Sequence, residues 1–292
     1  MDDGDGAVST AGVVLLFRPD LETAENVMLL AEQVGQVYLV NNSPGDASIA
    51  KMLALLPGGL AMTVLDQSEN RGVAAGFNAG MRAAFADGYD QVVIFDQDTT
   101  VTPGLVRTLT DARSAAGVRA GIVGPALRSA ASGVVYRRES GTGARRVDTL
   151  ISSGSLFHRD IVAQIGLHDE PLFIDYVDHD ICLRAKRAGL HNLKVYDALV
   201  DHRFGDSHPT RLLGRRVFLA NYSPTRLFYS SRNRVIVIRR YGFGAWFWAD
   251  AWFTAKAWIK LLLLEQHRGT KIRAGLRGIR AGLVFPARER RW

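Results

Sequence analysis

The sequence predicts an α/β fold: a doubly wound, mostly parallel, Rossmann-like sheet with a C-terminal helical extension. Three observations carry that expectation. Short apolar runs alternate with helical patterns through the first half of the chain. The runs are rich in β-branched and aromatic residues, as buried parallel strands are. The last third turns helical, basic and rich in tryptophan.

Taken in order, Val13 to Phe17, Gln36 to Val40, Ala61 to Leu65 and Gln91 to Phe95 are each about a strand long. Leu21 to Val34, Ser48 to Leu56 and Val73 to Asp87 lie between them and are long enough for crossover helices, so βαβ units and a parallel sheet follow. Gly121 to Asp148 is rich in Gly, Ser and Arg and reads as irregular strands and mobile loops. Helices are expected at His158 to Ile165 and Val177 to Ala188, strands at HNLKVY and LVDHRF, and a helical pattern from Leu212 onward.

The composition bounds the function. With 47% hydrophobic and 22% charged residues in 292, the chain is a folded domain with an appendage, or two domains. We divide it into a catalytic unit over 1–210 and a helical region over 211–292. Cys182 is the single cysteine, which excludes an internal disulfide and a Cys-rich zinc site. MDDGDGAVST lacks the basic and apolar segments of a signal peptide, so a cytoplasmic location is expected. The formal charge of +7 is uneven: Lys256 to Trp292 carries ten Lys/Arg against two Asp/Glu, and the rest of the chain is close to neutral.

In doubly wound sheets the ligand crevice lies beyond the carboxyl ends of the strands. Asp96-Gln97-Asp98 ends the cleanest strand, and two carboxylates two residues apart can face one crevice, where hard oxygen ligands suit Mg²⁺ or Mn²⁺. The alternative is that Asp98 or a nearby Thr caps a helix starting near Thr102. Asn70-Arg71-Gly72 and Gly76-Phe77-Asn78-Ala79-Gly80 open a helix whose N-terminus suits phosphate, or whose small residues serve tight packing. In Val177 to Arg187, Asp178 shares helical spacing with Ile181, Cys182 and Ala185, so it is expected to point inward as a general base or as a cap. Asp180 is expected on the opposite side, in an ordinary ion pair with Arg184. His202 ends a further strand-like run.

The ordered set of Asn41-Asn42-Ser43, Asn70-x-Gly72-x-x-x-Gly76-x-Asn78-x-Gly80, Asp96-x-Asp98, Ser153-Gly154-Ser155, Ile165-Gly166 and Asp178-x-Asp180-x-Cys182-Leu183-Arg184 resembles the family 2 glycosyltransferases, which have a GT-A fold. The form FDQD, Pro19 after the first strand, and His202-x-x-Gly205-x-Ser207 are most similar to bacterial rhamnosyltransferases. The resemblance implies inverting transfer of a sugar, L-rhamnose from dTDP-L-rhamnose, to a hydroxyl of a cell-surface glycan or polyprenyl-linked precursor. It implies Asp98 as ligand of a divalent cation, Asp96 near ribose or metal, and His202 as a further metal or diphosphate contact. Asp178 would be the base. Pro19, Asn42, Asn70 and Gly72, with Asn41, Asp66 and Asn78, would form the nucleotide pocket, and Ser153, Gly154 and Ser155 would border the acceptor. Many relatives carry an acid where this chain has Asn41, and Asp66 is the candidate replacement. A UDP-hexose or UDP-N-acetylhexosamine transferase and a non-catalytic membrane adaptor are the alternatives.

Four of five tryptophans fall between 246 and 258 in FGAWFWADAWFTAKAWIKLLLLE. Asp250, Lys256 and Lys260 argue against a membrane span, and Trp beside basic residues suits an amphipathic element on anionic lipid. The alternative is a helix packed on the catalytic unit or a partner subunit. Nucleic acid is not expected, since no binding module is recognisable. The expected place is the inner face of the cell membrane.

Overall fold

The computed structural model describes residues 8–129, 139–202, 208–212, 215–219 and 221–286. The apolar runs form β1 (Thr10–Leu16), β2 (Gln36–Asn41), β3 (Met62–Asp66) and β4 (Gln91–Asp96), parallel and in the order β3-β2-β1-β4. The crossovers are α1 (Thr23–Ala31), α2 (Ala47–Leu53) and α3 (Gly72–Ala86). Beyond β4 the sheet becomes mixed. β8 (Ser155–His158) runs antiparallel to β4 and β6 (Ala120–Ser129), and β6 runs parallel to β9 (His191–His202). β5 (Thr99–Val101) and β7 (Ala144–Val147) each pair antiparallel with β9. One apolar layer packs α1 and α4 (Leu105–Ala116) on one face of the sheet. The other packs α3, α5 (Arg159–Ile165) and α6 (Val177–Arg187) on the opposite face. Tyr38, Phe77, Phe95 and Phe157 are fully buried in these layers, each worth roughly 1.5–3 kcal/mol by area.

The segment expected as irregular strands and loops contains β6, a ten-residue strand whose register against β9 shifts twice, and β7; residues 130–138 lie outside the described ones. One expectation is corrected. The helical pattern does not start at Leu212: β10 (His208–Leu212) and β11 (Arg215–Leu219) form an antiparallel hairpin first. Three helices follow, α7 (Pro224–Tyr241), α8 (Ala245–Leu264) and α9 (Arg268–Val284).

α7 is no free appendage. Ile236 packs with Leu172, Ala74 and Val177, while Val237 packs with Leu183 of α6 and Trp246 of α8. α9 lies on α7 backbone to backbone, because a Cβ at Gly278 or Gly282 would meet the Phe228 or Arg232 carbonyl. Among the described residues no helix is long and apolar enough to cross a membrane.

Candidate active site

The order β3-β2-β1-β4 places the carboxyl ends of β1 and β4 side by side, with Leu15 opposite Asp96. Asp96, Gln97 and Asp98 therefore stand at the crevice, and a local hydrogen-bond frame sets them. The Asp96 N–H donates to Ser153 Oγ at 3.1 Å, and Ser153 Oγ donates to Thr99 Oγ1 at 2.7 Å. Gln97 pairs with the Phe17 backbone through both amide atoms, at 2.7 and 3.1 Å. Asp98 does not cap a helix: β5 follows it, and α4 starts at Leu105 behind Gly104.

The neighbouring strand ends build a polar wall. Asn41 Nδ2 donates to Asp66 at 2.7 Å across the β2–β3 register, so the Asp66 carboxylate stands beside Asn41 at the strand ends. Asn42 Nδ2 donates to Asn70 at 3.1 Å and its Oδ1 accepts from the Arg71 N–H at 2.9 Å. Pro19 is buried just after β1. Gly72 opens α3 with φ +81, and a Cβ there would lie 2.6 Å from the Phe173 carbonyl, which accepts from the Val73 N–H. That close approach ties the α3 N-terminus to the loop ahead of α6.

This loop is strained. Phe173, Asp175 and Tyr176 all have positive φ, a conformation that side-chain-bearing residues adopt at a cost of order 1–3 kcal/mol each. α7 holds it there. Buried Asn233 directs Nδ2 at the carbonyls of Leu172, Ile174 and Asp175, at 2.6, 2.8 and 2.9 Å. Arg232 donates to the Pro171 carbonyl at 2.5 Å, and Arg226 bonds Asp175 at 3.0–3.3 Å. The strain delivers Asp178 to the crevice in the first turn of α6. Its Oδ1 accepts from the His179 N–H at 2.8 Å and lies 2.9 Å from His179 Nδ1.

Asp96, Asp98 and Asp178 act on one another. Burial, then the charges of Asp98 and Asp178, push the Asp96 carboxyl up to about 7, against a lowering by Arg226. Burial alone would raise Asp178, but the adjacent His179 and its hydrogen bonds hold it below the usual carboxylate value. The result is one ionised carboxylate beside a pair whose mutual repulsion a cation would relieve, and paired carboxylates are hard oxygen donors of the kind Mg²⁺ and Mn²⁺ take. Among the described residues no group of three or more His, Cys, Asp or Glu side chains is arranged to hold a metal ion. His202 ends β9 opposite Thr99, the residue after Asp98; its side chain, Gly205 and Ser207 lie outside the described set.

Several residues singled out from the sequence are tied into the protein's own framework. Asp180 makes the expected ion pair with Arg184, but it is fully buried and bound also by Arg240 at 2.7 Å and by Tyr241 at 3.0 Å, while Asp178 is half-buried beside Asp96. Helix α6 is covered on a second side by α7, so one apolar stripe did not define its inner face. Asn78 is fully buried and spent on the His168 carbonyl at 2.9 Å and Glu170 at 3.1 Å, so it braces a loop and is closed to a nucleotide. Ser153 is buried beneath Asp96, and Ser155 bonds the Ile151 carbonyl at 2.6 Å. Gly154, at φ +81 with its N–H on the Ile94 carbonyl, completes this support. Residues 153–155 thus hold the acidic strand end from below. Arg226, Asp175 and Asn233 were not singled out from sequence.

Over residues 22–166 the chain matches the family model Glycosyl transferase family 2. It is 25% identical over 243 residues to the dTDP-rhamnosyl transferase RfbF of Shigella flexneri, covering 78% of this chain and 79% of that protein. It is 29% identical over 258 residues to the galactofuranosyltransferase GlfT1 of Mycobacterium tuberculosis, covering 80% and 82%. The fold superposes with a TM-score of 0.64 and 12% identity on S. aureus TarS 1-349 in complex with UDP-GlcNAc, over 94% of this chain and 81% of that one. GalNAc-T7 with UDP, GalNAc and Mn²⁺ gives a TM-score of 0.59 at 13% identity, over 81% of this chain and 48% of that one. With the β3-β2-β1-β4 sheet, the acidic strand end and these relatives together, the chain belongs to the family 2 glycosyltransferases and has their GT-A fold.

Proposed function

We propose that the protein is an inverting, divalent-cation-dependent rhamnosyltransferase that moves L-rhamnose from dTDP-L-rhamnose to a hydroxyl of a cell-surface glycan or polyprenyl-linked precursor. The observation that carries this reading is the action of Asp98 and Asp178 on Asp96, where the end of β4 meets the first turn of α6. Asp98 and Asp96 are the residues that would hold Mg²⁺ or Mn²⁺, with His202 as a third candidate. Such an ion supplies Lewis-acid stabilisation of the departing diphosphate. Asp178, kept ionised by His179, accepts the proton of the acceptor hydroxyl as it attacks the anomeric carbon. Asn41 with Asp66, Asn42 with Asn70, Gly72 and Pro19 form the nucleoside wall. Ser153, Gly154 and Ser155 contribute to the acceptor side only through the strand end they support.

The choice of rhamnose rests on the RfbF similarity and on Pro19 and FDQD. The GlfT1 similarity favours a second reading, a galactofuranosyl donor on the same site. A thermal-shift screen of nucleotide-sugars with and without Mn²⁺ separates them. A ligand at 100 times its dissociation constant adds about 2.7 kcal/mol. Cation-dependent stabilisation by dTDP-rhamnose, lost in Asp98→Ala, is the expected result; stabilisation only by another nucleotide-sugar would overturn the rhamnose assignment, and none by any nucleotide would overturn the transferase.

The acceptor is taken at the membrane surface. Trp248, Trp252, Phe253, Ile259, Leu262 and Leu263 are exposed on α8, with Lys256 over the Trp252 ring at 5.2 Å and Arg273, Arg277 and Arg280 exposed on α9. An apolar aromatic face edged with cations suits the headgroup region of anionic lipid. The functional boundary then falls after α7, which serves the active site, and α8 with α9 form the membrane-associating region. Flotation of the full chain with anionic liposomes, abolished by Trp248→Ser with Trp252→Ser and Phe253→Ser, checks this; unchanged flotation would refute it.

A further inference from the structure

We infer that Arg226, at the third position of α7, binds the donor diphosphate and stabilises it as the leaving group. This inference rests on the transferase reading above and adds a residue outside the segment that matches the family model. Asp98 and Asp178 act on Asp96, and Asp178 on Asp175, so four carboxylates stand close together, and a diphosphate brings further negative charge to them. Positive charge must meet it there, because buried like charges repel strongly at low dielectric.

Arg226 is the cation from the C-terminal helices that reaches this cluster. Its Nε and Nη2 hold Asp175 at 3.0–3.3 Å, and the guanidinium lies over the Tyr222 ring at 4.2 Å. Its charge and that of Asp96 act favourably on each other. The side chain is 40% exposed, and Nη1 makes no hydrogen bond among the described residues. The other arginines on α7 are committed elsewhere: Arg232 to loop carbonyls, Arg234 to Asp250, Arg239 to carbonyls of α9 and its C-terminal end, and Arg240 to Asp169 and Asp180. Arg226 is not the sole support of the strained loop, since Asn233 engages three of its carbonyls. Asp175 orients the guanidinium by Nε and Nη2 and leaves the opposite edge for a phosphate, the planar two-donor arrangement that suits phosphate oxygens.

In the transfer, the acceptor oxygen bonds the anomeric carbon while the bond from that carbon to the diphosphate oxygen breaks with its electron pair. The acceptor proton goes to Asp178, and the new charge on the departing oxygen falls to Arg226. A donor aimed at charge that develops during reaction lowers the barrier more than it tightens ground-state binding.

The test is calorimetric titration of the full-length protein, in Mn²⁺, with dTDP and UDP and with dTMP and UMP. The double variant Arg226→Ala/Asp175→Asn removes the cation without leaving a buried carboxylate unpaired; Arg226→Lys keeps charge and loses the fork. The double variant is expected to bind diphosphates roughly tenfold to a hundredfold more weakly, as loss of a charged hydrogen bond implies, with monophosphates changed by less than about twofold on the same scale. Arg226→Lys should recover part of the loss. Unchanged diphosphate affinity in the double variant, or equal loss of mono- and diphosphates with a fall in melting temperature, would overturn the inference. Failure of the wild-type protein to bind any nucleotide would instead overturn the transferase reading and this inference with it.

Discussion

Replacing Asp96 by Asn should stabilise the cation-free protein, and the gain should depend on pH. The Asp96 carboxyl is held at about 7 in the folded chain against 3.8 when unperturbed. A carboxyl whose folded value is raised contributes most stability when protonated, below the unfolded value, and that contribution is lost as pH climbs to the folded value. About three pH units at roughly 1.4 kcal/mol each gives a ceiling of ~4 kcal/mol at pH 8. Partial exposure at the crevice screens this, and half of it, about 2 kcal/mol, is a reasonable expectation. At roughly 2.1 cal/mol/K of unfolding entropy per residue, a chain of this length shifts by about 1.6 °C per kcal/mol, so about 3 °C. The measurement is a melting curve in EDTA for wild type and Asp96→Asn at half-unit steps from pH 4 to pH 8. The difference should grow between pH 4 and 7 and level off above. A variant less stable than wild type at pH 8, or a difference independent of pH, would refute the idea that Asp96 carries the repulsion of Asp98 and Asp178.

The same titration predicts that apparent Mn²⁺ affinity falls as pH is lowered from 8 to 6, because protons compete for Asp96; equilibrium binding at fixed ionic strength checks it. Asp178→Asn should lower transfer activity by about 10²–10⁴-fold with a melting temperature close to wild type. Asp180→Asn should do the reverse of that pattern in stability, costing about 3–5 kcal/mol because Arg184 and Arg240 lose a fully buried partner. Gly72→Ala, at φ +81 and 2.6 Å from the Phe173 carbonyl, should destabilise the protein by more than about 1 kcal/mol and weaken nucleotide binding, read by denaturant melts and by calorimetry.

The first half of the chain was legible because its information is local. Each apolar run forms a strand within a few residues of its expected bounds, and the residues just after those runs are the ones that meet at the crevice. Asp66, which ends the adjacent strand, bonds Asn41 directly. What failed depended on partners far away in sequence. Asn78 sits in a Gly-rich pattern that suggests a ligand loop, but its partners lie about ninety residues on, at His168 and Glu170. Asp180 is buried because α7 supplies Arg240 and Tyr241, sixty residues downstream, to a face that α6 alone would leave to water.

The C-terminal region shows the same limit in a sharper form. Its charge and tryptophan content drew attention to α8 and α9, while α7 between the hairpin and α8 holds the loop that delivers the candidate base. One signal for this was present: Asn233 falls at helical spacing with Ile236, Val237 and Arg240, the buried positions of α7. An amide on the buried stripe of an amphipathic helix must find hydrogen-bond partners inside the protein. Three left-handed residues ahead of α6 are what it finds, and a loop in that conformation persists only if something outside it supplies the bonds. The geometry of the candidate site is therefore set jointly by the sheet edge, which carries Asp96 and Asp98, and by a helix beyond the matched family segment, which bonds the backbone leading into Asp178.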